Sequence, residues 1–183
     1  MANIIVDNFI LSIETHQSLD LQEISDTFPE AVYEPENLPA VLFRYENPIR
    51  LIFITSYGKL VCTGSKTEDQ ATEAFSEIIG LLKENNFIDE TVSISFQVDS
   101  LVVSKNLNIA LPLERIHSEL PSDQCSYDAS TYPWLEYRQD KYSMLLFSSG
   151  IIVCTGAVSL TEARDAFNQM EDILTSIGCE ITE

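Results

Sequence analysis

Covalent or metal chemistry in this 183-residue chain would have to run through four cysteines, Cys62, Cys125, Cys154 and Cys179, and two histidines, His16 and His117. The cysteines form no C-x-x-C pair and no histidine stands at ligand spacing from one, so no metal site is expected. They read as reduced thiols of a cytoplasmic protein, two of them buried in strands. Neither histidine belongs to a Ser/His/Asp or Cys/His arrangement, and both read as surface residues. Six glycines are scattered rather than gathered into a phosphate loop, and Gly58, Gly64, Gly150 and Gly156 read as turn residues. With no catalytic constellation and no cofactor motif, the chain is expected not to be an enzyme and to carry no cofactor.

The apolar fraction of 45% is enough for a packed core. No run of about 18 apolar residues is present to cross a membrane, and the first residues do not read as a secretory signal. Charge is lopsided: 29 acidic against 10 basic residues give a net charge of −19. That balance weighs against a protein that holds phosphate backbones through bulk positive charge. The distribution of the cations therefore matters more than their number. Arg44, Arg50, Lys59, Lys66 and Lys83 fall in the first half, and Lys105, Arg115, Arg138, Lys141 and Arg164 in the second. Many acids fall on predicted helices and loops.

The elements that must position these residues are duplicated. Val6–Ser12 returns as Val98–Ser104, Leu19–Ile24 as Leu111–Ile116, and Gly58–Gly64 as Gly150–Gly156, each 92 residues later. Tyr33–Arg44 matches Tyr127–Arg138 at 94. Several blocks in one order at nearly one offset mark two copies of a unit, residues 1–90 and 91–183, expected to form one continuous domain. Each copy opens on an alternating strand and continues with a short helix, Leu19–Phe28 or Leu111–Leu120. Three strand runs follow: Ala40–Tyr45, Leu51–Thr55 and Lys59–Thr63, then Trp134–Tyr137, Ser143–Phe147 and Ile151–Thr155. Each copy ends in an amphipathic helix. Ala71, Ala74, Phe75, Ile78, Ile79 and Leu82 recur at helical spacing, as do Ala163, Ala166, Phe167, Met170, Ile173 and Leu174. Thr67 and Ser159 are the expected N-caps. The pattern implies an α+β fold in which helices cover one face of an antiparallel sheet and the other face is bare.

Tyr33-Glu34-Pro35-Glu36-Asn37-Leu38-Pro39, then Arg44, then Gly58-Lys59-Leu60-Val61-Cys62-Thr63-Gly64-Ser65-Lys66 resemble the TATA-box-binding protein family, its archaeal members most closely. The resemblance covers nearly the whole chain. It implies a saddle: one curved antiparallel sheet of about ten strands, with four helices on the convex side and an underside that grips and bends DNA through the minor groove. It implies a general transcription initiation factor acting on A·T-rich double-stranded DNA, cytoplasmic and nucleoid-associated. The family's four kinking phenylalanines fall on Leu38, Thr55, Tyr132 and Phe147, and its paired asparagines on Asn8 and Ser100. The docking turn for a transcription factor B-like protein falls on Tyr127-Asp128-Ala129-Ser130-Thr131. Without DNA, a homodimer is an expected partner state.

Alternation supports that implication residue by residue. Asn8 with Ile10, and Val61 with Thr63, project to one side of their strands, and so do their repeat partners Ser100 with Val102 and Val153 with Thr155. Phe53 and Leu145 occupy matching positions on the same face. Small apolar groups with a few amides and hydroxyls suit an A·T minor-groove floor, which offers only acceptors. Leu38, Tyr132 and Phe147 are the expected wedges. Arg44, Lys59, Lys66 and Arg138 are the expected phosphate contacts, while Ile151 and Val158 stand where repeat one has Lys59 and Lys66. The alternative reading is a paralogue that kept the saddle but binds a protein or small molecule.

Overall fold

A computed structural model describes residues 3–181. The described chain divides into two compact units, one of Asn8–Asp99 and the other of the residues up to Asp7 together with those from Ser100 on. Each carries five antiparallel strands and two helices.

The first unit takes β1 (Ile5–Glu14) from Asn8 on, then α1 (Leu21–Thr27), β2 (Ala31–Tyr33), β3 (Ala40–Glu46), β4 (Ile49–Thr55), β5 (Lys59–Ser65) and α2 (Glu68–Glu84). Its strands lie in the order β2-β3-β4-β5-β1. The second takes β6 (Phe96–Asn106) from Ser100 on, then α3 (Leu113–Glu119), β7 (Cys125–Ser126), β8 (Trp134–Arg138), β9 (Ser143–Phe147), β10 (Ile151–Ala157) and α4 (Leu160–Ser176). Its order is β6-β10-β9-β8-β7. The strand runs and both amphipathic helices of the sequence reading are present. Two edge strands, β2 and β7, were not legible. At three and two residues they are too short for a period-2 pattern to register.

Helix starts follow from local chemistry. The Thr67 side chain accepts from the Gln70 N–H and the Ser159 side chain from the Glu162 N–H, each satisfying a donor the first turn leaves orphaned. Asp20 caps α1 in the same way, through the Glu23 N–H. Pro112 occupies the equivalent position before α3 with no side-chain cap, since it has no acceptor to offer.

One face of each sheet is committed to the core. In β5, Leu60 and Cys62 are fully buried while Lys59, Val61 and Thr63, which alternate with them, are half-buried. β10 repeats this with Ile152 and Cys154 against Val153 and Thr155. Ala71, Ala74, Phe75, Ile78 and Leu82 of α2 complete the first core, and Ala163, Ala166, Phe167, Met170 and Leu174 of α4 the second. Ile79 and Ile173, grouped with these from the sequence, are only half-buried at the stripe's margin. Several cations are engaged within their own unit. Arg50 on β4 is 5% exposed; its Nη1 donates to the Gln70 carbonyl at 2.7 Å, and its guanidinium lies 5.3 Å from the Tyr45 ring centre. Lys105 pairs with Glu171 of α4, Arg115 donates to the Ile177 carbonyl, and Lys83 donates to the Glu90 carbonyl.

Gly58 and Gly150 are the turn residues expected, with φ of +83° and +91°. A Cβ at Gly58 would stand 2.3 Å from the Gln17 carbonyl oxygen, and one at Gly150 would stand 2.1 Å from that of Ile109. Gly64 and Gly156 correct the sequence reading: they lie inside β5 and β10, where the ladder slips by a residue.

Gly150→Ala is expected to lower stability by at least about 1–2 kcal/mol, the cost of a left-handed non-glycine residue before any clash. Gly80→Ala, inside α2 with no atom within 4 Å of the new methyl, is expected to raise it by about 0.5–1 kcal/mol. Urea unfolding midpoints check both. All four cysteines are free and buried, and burial pushes the Cys125 and Cys154 thiols up to about 11 and raises Cys62 as well. Near neutral pH the native protein is therefore expected to resist iodoacetamide, and the urea-unfolded chain to label at every cysteine; mass spectrometry counts the adducts.

Candidate nucleic-acid interface

In the first unit the open face is built by β1, β3, β4 and β5. Asn8 and Ile10 come from β1, Leu42 and Arg44 from β3, Phe53 from β4, and Lys59, Val61 and Thr63 from β5. Register places Leu42 opposite Phe53, Phe53 opposite Val61, and Val61 opposite Ser12. The result is a row across the sheet whose first three members are apolar. Leu38 lies in the β2–β3 loop, 38% exposed, and Lys66 follows β5 in the loop before α2.

The polar centre of this face forms around the ladder slip. At Gly64 the chain is displaced from β1, with φ of +92°. The Gly64 N–H donates to Asn8 Oδ1 at 2.8 Å, and Asn8 Nδ2 donates to Thr63 Oγ1 at 2.8 Å. The glycine N–H settles which end of the amide is oxygen. An amide nitrogen carries two hydrogens and a threonine hydroxyl one, so after these bonds each group retains a donor.

The second unit repeats the device with one loss. The Gly156 N–H donates to Ser100 Oγ at 3.2 Å. Serine closes the slip but has no amide with which to orient Thr155. Val102 of β6, Leu145 and Phe147 of β9, and Val153 and Thr155 of β10 lie on this open face.

Aromatic side chains distinguish the second face. Tyr132, in the loop before β8, is 53% exposed and lies 4.8 Å from the Trp134 ring centre. Trp134 stands directly opposite Phe147, ring centres 5.9 Å apart. The equivalent residues of the first unit are Leu38, Ala40 and Thr55. The Thr55 hydroxyl is taken up in its own hairpin, donating to the Lys59 carbonyl at 2.9 Å and accepting from the Lys59 N–H at 3.1 Å. Tyr132 and Phe147 are expected on this face from the sequence, whereas Trp134 is an addition from the structure. The signal was available, because Trp134 is two residues from Glu136 and four from Arg138 on one strand face.

Three of the four expected phosphate contacts are ion-paired. Arg44 Nε lies 3.0 Å from Glu46, Lys59 Nζ 3.4 Å from Asp99, and Arg138 Nη2 2.8 Å from Glu136. Asp99 also accepts from the Ser12 hydroxyl at 2.8 Å. Glu136, a second residue the sequence reading passed over, takes the place of Leu42. Hydrogen bonding from Arg138 holds its carboxyl below the usual carboxylate range. Among the described residues no cluster of histidine, cysteine and acidic side chains could hold a metal ion, and no helix is long and apolar enough to cross a membrane.

Comparison with known proteins agrees with this architecture. Residues 3–85 and 95–177 match the family described as transcription factor TFIID, or TATA-binding protein. The chain is 35% identical to TATA-box-binding protein B of Halobacterium salinarum over 94% of each chain. It is 31% identical to the TATA-box-binding protein of Archaeoglobus fulgidus, over 94% of this chain and 95% of that one. Among solved structures, Methanococcus jannaschii TBP superimposes with a TM-score of 0.84 at 29% identity, over 95% of this chain and 99% of that one. With ten antiparallel strands and four helices among its described residues, the chain belongs to the TATA-binding protein family, as a transcription initiation factor and not an enzyme.

Proposed function

We propose that this protein binds A·T-rich duplex DNA in the minor groove and bends it to start transcription. The supporting observation is the open β face of each unit. In the first, an apolar row flanks two donors held in place by a glycine at a ladder slip. A·T pairs present only acceptors in the minor groove, so donors set among small apolar groups are the matching chemistry. Residues 1–90 and 91–183 act as two repeats of one DNA-binding domain.

Asn8 and Thr63 contact base edges in the first repeat, and Ser100 and Thr155 in the second. Ile10, Phe53, Val61, Val102, Leu145 and Val153 supply the apolar floor. Arg44, Lys59, Lys66 and Arg138 meet phosphates. Wedging is divided unequally: Leu38 is the only large apolar wedge of the first repeat, whereas Tyr132, Trp134 and Phe147 form one aromatic block in the second. A block of three rings unstacks a base step by replacing base–base with base–ring contact. Such a protein resides with the nucleoid in the cytoplasm.

Two finer partnerships accompany this reading. A transcription factor B-like protein docks at the Tyr127–Thr131 turn. There the Asp128 carboxylate already accepts from Ser130 and Thr131 at 2.6 Å each, so such a partner engages Tyr127 and the turn backbone rather than that acid. Without DNA, a second copy covers the apolar open faces as a homodimer, which sedimentation with and without duplex would detect.

In a mobility-shift titration, an A·T-rich duplex is expected to bind more tightly than a G·C-rich one. No binding even at low salt would reject the DNA reading in favour of a protein or small-molecule ligand. Trp134 is the single tryptophan, so its emission reports on the second face alone. Saturating duplex is expected to quench it, and an unchanged spectrum in a bound complex would remove Trp134 from the interface. Phe147→Ala is expected to weaken binding about 5- to 150-fold, the equivalent of about 1–3 kcal/mol for a lost stacking surface, and to reduce the bend measured by energy transfer between labelled duplex ends.

A further inference from the structure

A carboxylate on a face built for the minor groove needs an explanation. Glu136 on β8 pairs in register with Leu145, and Leu145 pairs in turn with Val153. It therefore shares a row with two residues of the proposed groove floor. The first-unit row has Leu42 in its place, beside Phe53 and Val61. The Glu136 side chain retains 26% of its exposure, so it is neither sealed in the core nor swung out into solvent.

Its ionisation state follows from its neighbours. The Arg138 guanidinium donates to Oε2 at 2.8 Å and keeps the group charged at neutral pH, with further help from Ser143. An ionised carboxylate only accepts hydrogen bonds. Adenine N3 and thymine O2 are acceptors too, so a groove floor of A·T pairs gives this oxygen nothing to bond and repels it. The minor groove holds one donor on its base edges, the 2-amino group of guanine. Arg138 offsets the negative charge that would otherwise be driven against the phosphates.

We propose that Glu136 makes the second repeat select a G·C pair at one position of the binding site, by accepting a hydrogen bond from the guanine 2-amino group. This inference rests on the DNA reading above and adds to it a specificity that the first repeat, with Leu42, lacks. The recognised duplex would be A·T-rich with a fixed guanine in the portion covered by the second repeat.

Inosine supplies the test, since it pairs with cytosine but lacks the 2-amino group. A single G·C pair is moved through an A·T-rich duplex, and at each position the affinity is compared with that of the I·C counterpart. One position is expected at which replacing guanine by inosine weakens binding about tenfold, within the range of a good base-edge contact. Glu136→Leu, which copies the first repeat, is expected to bind the I·C and G·C duplexes alike. Glu136→Gln, which keeps the shape and adds a donor, is expected to lose most of the preference and to tolerate A·T there. Duplex binding with no position sensitive to the 2-amino group would overturn the inference and leave the DNA reading standing. Sensitivity that persists unchanged in both variants would also overturn it. Failure to bind any duplex at low salt would remove the DNA reading itself, and this inference with it.

Discussion

Everything about the open faces depends on the commitment of the opposite faces to the helices. A strand has a period of two, so once Leu60 and Cys62 are packed beneath α2, the outward positions of Lys59, Val61 and Thr63 are no longer adjustable. A one-residue slip would exchange a buried leucine for a lysine along the whole strand. The ladders of β5 and β10 do slip at Gly64 and Gly156, where the backbone takes a positive φ that a side chain would strain. The displaced N–H then needs an acceptor, and Asn8 or Ser100 provides it. The polar centre of each face is thus the repair of an irregularity that the packed face permits.

The duplicated plan lets the two faces specialise. The first retains an asparagine amide, two lysines near its rim and an apolar row. The second has a serine, no lysine at the matching positions, an aromatic block and a carboxylate. Core positions have diverged conservatively by comparison: Leu60 and Ile152 are both fully buried, as are Cys62 and Cys154, and Phe75 and Phe167. Packing selects volume and apolarity at those sites, whereas a solvent-facing row is constrained only by what touches it.

Most of the architecture could be read from residue order alone, because repetition and helical spacing are long-range signals carried by many residues. The N-caps were legible for the same reason: Thr67 and Ser159 stand immediately before a periodic apolar stripe. Edge strands β2 and β7 were not, being too short to show a period. From sequence Gly64 reads as a turn, because glycine alone does not distinguish a hairpin from a ladder slip. At the candidate site, composition identified the groups on each strand but not their pairing. The partnership of Arg138 with Glu136, or of Lys59 with Asp99, needs three-dimensional proximity, and so does the contact that makes Trp134 the middle ring of three.

Those internal ion pairs bear on thermodynamics as well as geometry. A cation that approaches DNA ordinarily gains free energy because mobile ions condensed on the polyanion are released to bulk. Arg44, Lys59 and Arg138 carry fixed carboxylates within 3.0, 3.4 and 2.8 Å. These tethered acids do not diffuse away on binding. Part of each cation's charge is already neutralised, so at the proposed phosphate contacts fewer mobile ions would be displaced. Affinity would then depend less steeply on ionic strength than the number of basic residues on the two faces implies. An acidic protein that holds DNA as proposed would rely on shape and stacking, and these are the forces that added salt screens least.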